Sequence, residues 1–116
     1  MSSNQAIDGV FAGKDAEVRA VYEVLVSALR EFGTIKEAPK QTSIHLEKNS
    51  AFAGVHPRKS YLNLEFRIDY KIDDPRIARQ LQLSARRFEH TVKLATAADI
   101  DGQLLTWLRD AYTLSK

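Results

Sequence analysis

A two-layer α+β domain is what this chain predicts: a four-stranded, mainly antiparallel sheet with two long helices on one of its faces. Three observations carry that prediction. Apolar residues recur at helical spacing near both ends of the chain, they alternate with a period of two in between, and Pro, Gly, Asn and Asp mark the changes of period. The order read from these signals is helix, three strands, a short helix, a strand and a helix. With 116 residues, 44% of them apolar, the chain is long enough for one core without disulfide or metal staples. Residues 1–13 are expected as a partly ordered arm, because Ile7, Val10 and Phe11 establish no period there, and residues 14–116 as a single domain.

The first long helix follows Asp15, a good N-cap, and closes at Gly33, a good C′ residue. Between them Val18, Val21, Tyr22, Leu25, Leu29 and Phe32 form one apolar stripe. TIKEAPKQT reads as a loop broken by Pro39. In SIHLEK, Ile44 and Leu46 alternate with Ser43, His45 and Glu47, and Asn49-Ser50 turns the chain into a second strand, AFAGVH. Pro57 ends that strand. The third, SYLNLEFRIDYK, sets Leu62, Leu64, Phe66 and Ile68 against Tyr61, Asn63, Glu65, Arg67 and Asp69, the pattern of a half-buried strand. Asp74-Pro75 resembles an N-cap with N1, and Ile77 and Leu81 are four apart, so a short helix is expected over DDPRIARQLQLSA. RRFEHTVKLA alternates again as the fourth strand. The last helix takes its cap from Thr96 with Asp99, or from Asp99 itself, and its stripe from Ile100, Leu104, Trp107, Leu108 and Ala111. Gly102 in its first turn costs about 1 kcal/mol against Ala and favours a late start.

Composition excludes several classes of function. The chain has no cysteine, so it has no thiolate nucleophile and no zinc site of the Cys type. No apolar run approaches the roughly 20 residues that cross a bilayer. The first residues lack the basic and apolar regions of a secretory signal. The expected location is the cytoplasm, with no membrane partner. Net charge is +2, but from His56 to Lys93 there are nine Lys/Arg against five Asp/Glu. That local surplus suits an anionic partner, although it is below what a dedicated nucleic-acid binder carries.

If both helices cover one face of the sheet, the other carries Ser43, His45, Glu47, Tyr61, Asn63, Glu65, Arg67, Asp69, Arg87, Glu89, Thr91 and Lys93. Mixed signs along each strand suit cross-strand pairing on a solvated surface. Open sheets that bind RNA stack bases on two or three aromatics, and only Tyr61 is available here. A basic corner is the better candidate. His56, Arg58 and Lys59 flank Pro57, and Arg86 and Arg87 open the fourth strand; if neighbours, these groups form an anion site, because guanidinium forks match phosphate and carboxylate. The candidate ligand-binding residues are therefore His56, Arg58, Lys59, Tyr61, Arg67, Arg86 and Arg87.

Catalytic motifs fail. His45, His56 and His90 share no metal-ligand spacing, His90 belongs to the apolar set of its strand, and there is no phosphate-cradling Gly-rich loop and no G-x-S-x-G elbow. Ala53-Gly54-Val55 holds a lone glycine inside a strand, which suggests a bulge. No catalytic residue, metal or cofactor is assigned. Asp99 and Asp101 at a helix start fit the helix dipole.

The stretches F-A-G-K, P-K-Q-T-S-I, F-A-G-V-H-P-R-K, L-x-L-x-F, R-R-F-E-H-T-V-K-L and D-I-D-G-Q-L-L-T-W-L-R-D-A-Y, taken together, resemble a bacterial family of domains of unknown function. That family occurs as small stand-alone proteins and at the C-terminus of larger chains, some labelled predicted transport proteins and others beside DNA-associated segments. The likeness spans about residues 10–113. It implies a compact α+β module and brings no activity, cofactor or catalytic residue with it. It directs attention to Phe52, Pro57, Arg58, Lys59, His90, Asp101, Trp107 and Tyr112.

Three uses are compatible with this sequence. The first is a binding or accessory module that engages nucleic acid, a phosphorylated ligand or an acidic protein surface through the basic corner. The second is a small-molecule enzyme, with His56 or His90 beside Asp101 and an Arg clamp. The third is a protein–protein module, monomeric or weakly dimeric, that associates through the sheet edge or the exposed face.

Overall fold

The computed structural model describes residues 2–115. Three α-helices, α1 (Ser2–Val10), α2 (Ala16–Leu29) and α3 (Gly102–Leu114), pack with six strands: β1 (Lys36–Pro39), β2 (Ile44–Glu47), β3 (Ala51–Pro57), β4 (Leu62–Ile68), β5 (Ile77–Ser84) and β6 (Arg87–Leu94). All pairings are antiparallel, and the strand order is β1-β2-β3-β4-β6-β5. The α+β class and the antiparallel sheet agree with the sequence reading. The four-stranded sheet does not: β1 and β5 extend it at both edges.

Period-2 burial builds the sheet. One row of partners runs Ile44, Val55, Leu64, Val92, Ile77, and the next runs Leu46, Ala53, Phe66, His90, Gln80. Their apolar members join Val18, Leu25, Leu29, Leu104 and Leu108 of the helices in one core. Phe66 lies at its centre, stacked on His90 at 5.5 Å and on Trp107 at 6.2 Å between ring centroids. Residues 2–10, where no period is evident in the sequence, form α1; Ile7 and Val10 on it, with Phe11 after it, enter the same core.

The two added strands have local causes. β1 was expected as loop because of Pro39, but Pro39 ends an edge strand, where no ladder N–H is required. Arg30 at the end of α2 anchors it, donating to the Ile35 carbonyl at 2.9 Å and to Glu37 at 3.0 Å, while the Tyr22 hydroxyl donates to Glu37 as well. Burial and the Glu37 carboxylate together raise the Tyr22 pKa. β5 replaces the expected short helix. Asp74 makes a turn rather than a helix cap, its carboxylate accepting from the Arg76 N–H at 2.8 Å and its carbonyl from the Ile77 N–H at 3.0 Å. The following residues then pair along β6, whose edge a helix would have left unpaired.

α2 begins after Asp15 as expected. Gly33 lies beyond its end, in the link to β1, with φ +144°. A 3₁₀ turn at Ala97–Asp99 precedes α3, and Asp99 accepts from the backbone N–H groups of Ala95 and Thr96. Asp101, not Asp99, caps α3 by accepting from the Leu104 N–H at 3.0 Å; Arg76 donates to the same oxygen at 2.8 Å. Both contacts hold the Asp101 carboxyl below the ordinary carboxylate range.

Gly33 tolerates no side chain, for two separable reasons. Its φ disfavours L-residues, and a Cβ there would approach the Tyr112 hydroxyl to 2.5 Å, an oxygen that itself donates to the Thr34 carbonyl. Gly33→Ala is expected to lower unfolding free energy by about 1–3 kcal/mol. Gly33→Ala combined with Tyr112→Phe recovers the steric share and leaves the dihedral share, as urea unfolding of both variants will show.

Candidate functional site

The basic residues singled out in the sequence do not form one cluster. β4 and β6 are antiparallel, with Leu62 opposite Leu94 and Ile68 opposite Phe88. Arg58 and Lys59 precede Leu62, whereas Arg86 and Arg87 precede Phe88, so the two groups sit at opposite ends of the strands. Six residue steps separate those ends, roughly 20 Å at strand rise. Arg67 stands on the open face and donates to Glu89 of β6 at 3.3 Å. Tyr61 lies under the Lys93 ammonium, 4.5 Å from the ring centroid.

At the Arg58 end the chain builds a concave site. The β3–β4 turn is closed by the Arg58 N–H donating to the Tyr61 carbonyl at 2.7 Å. It is tied to the start of α2 twice, by the Asp15 N–H donating to the Lys59 carbonyl at 2.8 Å and by Lys59 Nζ donating to the Asp15 carboxylate at 2.6 Å. Between this turn, the β1–β2 turn and the end of α1 lies a cavity of about 280 Å³. Lys14, His56, Arg58, Gln41 and Thr42 supply its polar lining, and no carboxylate is among its lining residues. Among the described residues, neither Lys14 nor Arg58 has a carboxylate within 4 Å. Lys59, by contrast, is committed to Asp15. Sequence reasoning missed Lys14, Gln41 and Thr42, which follow Gly13 and Pro39 in loops far from residue 56. The available signal was Gly13, whose φ of +78° marks the turn that delivers Lys14.

Cross-strand pairs organise the open face beyond this cavity. His56 Nε2 lies 3.0 Å from a Glu65 carboxylate oxygen. Gly54, between His45 and Glu65 in the row of partners, is regularly paired; the β2–β3 irregularity falls instead between Leu46 and Glu47. A Cβ at Gly54 would lie 3.5 Å from His56 Nε2 and 3.8 Å from Glu65 Oε1, so the glycine leaves bare backbone between these side chains. Exposed ion pairs of this kind contribute little to stability, about 0–1 kcal/mol each.

His90 is fully buried on the core side, where the segment joining β4 to β5 crosses β6. Its Nε2 accepts from the Ile72 N–H at 3.1 Å and lies 2.8 Å from the Gln80 amide nitrogen, which also donates to the Ile72 carbonyl at 3.1 Å. The ring thus latches this crossing segment, which Tyr70 secures further along by donating to Asp110 at 2.6 Å. With Nε2 accepting, the proton of the neutral ring is on Nδ1, which has no hydrogen-bond partner among the described residues. Burial lowers the His90 pKa; the Phe88 backbone opposes this, from a position too poor for a hydrogen bond to Nδ1. His90 and Asp101 therefore have separate partners, and His56 pairs with Glu65 rather than with Asp101. No group of three or more His, Asp or Glu among the described residues has metal-binding geometry, and no helix is long and apolar enough to cross a membrane.

The architecture is that of a small α+β domain with a helix-covered face, an open polar face and a basic cavity at one corner. The chain belongs to DUF5655, a family of domains of unknown function, and the match covers residues 7–115. No curated protein and no solved structure is significantly similar to it.

His90 sets an acid limit on stability. Its pKa is lower folded than unfolded, so the unfolded chain binds the additional proton. Stability from the neutral ring is complete above the unfolded value, about 6.5, and declines as pH falls from there toward the depressed folded value, by at most about 1.4 kcal/mol per pH unit. His90→Phe keeps a ring against Phe66 but leaves the Ile72 N–H unpaired. It is expected to cost about 1–3 kcal/mol at neutral pH and to flatten the acid dependence, measured by urea unfolding across that range.

Proposed function

We propose that the chain is a non-enzymatic binding module that holds a small phosphate- or carboxylate-bearing ligand in the cavity lined by Lys14, His56 and Arg58. The carrying observation is the composition of that lining: cationic and hydrogen-bonding groups with no carboxylate. Arg58 offers a fork matched to two anion oxygens, Lys14 a point charge, and Thr42 and Gln41 neutral donors. The rigid turn beneath them, tied to α2 through Asp15 and Lys59, supports preorganised binding. Nucleic acid fits less well, because Tyr61 is half-buried and already lies beneath Lys93. A cytoplasmic location suits the cysteine-free composition, and a compact domain of this kind suits use alone or at the end of a longer chain.

The test is calorimetric titration with inorganic phosphate and pyrophosphate. Lys14→Glu with Arg58→Glu is expected to abolish binding and leave the melting temperature nearly unchanged, since neither side chain is buried. Undiminished binding in this double variant overturns the assignment.

One observation favours a second reading. The His56–Glu65 pair at the rim of the same cavity is the arrangement an acid–base histidine requires, with Glu65 in the orienting role that the sequence had offered to Asp101. That reading requires turnover of a phosphate or carboxylate ester that is lost in His56→Ala, while binding of inorganic phosphate persists. Binding without turnover leaves the module reading alone.

A further inference from the structure

β5 is anomalous as a strand. Seven of its eight residues are exposed, so it buries almost nothing on either face. It is held along one side by β6, and its other side is an edge of the sheet. Apart from the turn at Ile77 and the Gln82 side chain on the Ser84 carbonyl, no hydrogen bond outside that pairing reaches its backbone among the described residues. Leu81 and Leu83 are 43% and 47% exposed, two of the four exposed large apolar side chains among the described residues. Such an edge is a template for an added strand, and natural edges are usually shielded by charge, proline or a covering element.

Charge restricts what can be added. From Pro75 to Phe88 there are four arginines and no acidic residue. Arg76 is engaged by Asp101, while Arg79, Arg86 and Arg87 have no carboxylate within 4 Å among the described residues. The end of β5 borders a cavity of about 460 Å³ whose lining includes Leu83, Phe52, Leu114, Arg67 and Arg87, and no carboxylate. A second copy of this chain would bring the same arginines to the same edge. Arg79 and Leu81 are two residues apart and share one face of β5. An extended segment that carries acidic and apolar residues in turn along each face, as a Glu-Glu-Val-Val repeat does, matches both the charge and the leucines.

We infer that β5 is a docking edge for an extended acidic–apolar peptide segment of a partner protein, which adds as a seventh strand. Backbone hydrogen bonds supply the pairing. Apolar side chains cover Leu81 and Leu83, and carboxylates meet Arg79, Arg86 and Arg87. The site is separate from the cavity of Lys14 and Arg58 and stands or falls independently of it.

The probe is a fluorescein-labelled, end-capped peptide of repeating Glu-Glu-Val-Val, titrated by fluorescence polarisation and mapped by amide chemical shifts. Binding is expected to perturb the amides of residues 77–87, and Leu81→Lys with Leu83→Lys is expected to weaken it by about tenfold or more. Both leucines are substantially exposed, so this variant keeps its fold, which the melting temperature checks. A peptide with lysine in place of glutamate tests charge, and one N-methylated at alternate amides tests strand pairing; both are expected to fail to bind. Equal binding of either control, shifts confined to other surfaces, or absence of binding overturns the inference. Sedimentation showing a dimer that the double lysine variant dissolves also overturns it, by making a second copy the occupant.

Discussion

Leu62, Leu64, Phe66 and Ile68 of β4 face Leu94, Val92, His90 and Phe88 of β6 across an unbroken antiparallel register. The rest of the molecule depends on that pairing. It brings Phe66 between His90 and Trp107, and it gives α3 an apolar floor. A one-residue slip would turn the row of apolar side chains to the open face and bring Arg67 and Glu65 inside, so burial strongly specifies the register. Because β6 lies between β4 and β5, the connection after Ile68 has to cross β6 before the chain returns along it. His90, a polar residue in an apolar row, is explained by this crossing: its Nε2 supplies the acceptor that the Ile72 N–H lacks when removed from water.

The same register governs the chemistry of the surface. It sends Arg58 and Arg86 to opposite ends of the sheet and so divides a positive segment into two surfaces of different character. One is concave, polar and tied to α2 by the Asp15–Lys59 contacts. The other is a flat edge where exposed leucines stand near three arginines, Arg79, Arg86 and Arg87, that have no carboxylate within 4 Å among the described residues. Between them, Arg67 pairs with Glu89 and His56 with Glu65 across the open face. The positive character of the chain thus emerges where its arginines lack carboxylates, which a count of charges along the sequence does not reveal.

Several residues that stand out in the sequence turn out to be fold contacts. Phe52 packs edge-on against Tyr112 at 5.4 Å, Trp107 stacks on Phe66, Pro57 is buried, and Asp101 caps α3. Arg58 alone in that set combines exposure, a cavity and the lack of a carboxylate partner among the described residues. Arg76 joins Asp101 and the Asp99 carbonyl to the ring of Trp107, yet nothing local in DDPRIA marks it, because its partners lie more than twenty residues away.

The sequence by itself determined α2, α3 and the four inner strands: a period of 3.6 marks Val18–Leu29 and Leu104–Ala111, a period of 2 marks Ile44–Leu46, Leu62–Ile68 and Phe88–Leu94, and the turn signals Asn49-Ser50 and Pro57 bound β3. It also determined the class of the domain and the basic character of His56–Lys59. Only the tertiary structure decided the two edge strands, since β1 is four residues long and β5 has almost no buried face to imprint a pattern. Ile77 and Leu81 suit a helix as well as a strand until β6 supplies partners. Tertiary structure likewise decided the candidate site, because Lys14, Thr42 and Arg58 come to line one cavity through loop closure. Periodicity records which face of an element leaves water, whereas the meeting of three loops depends on strand order and register, and neither is encoded within the span of a single element.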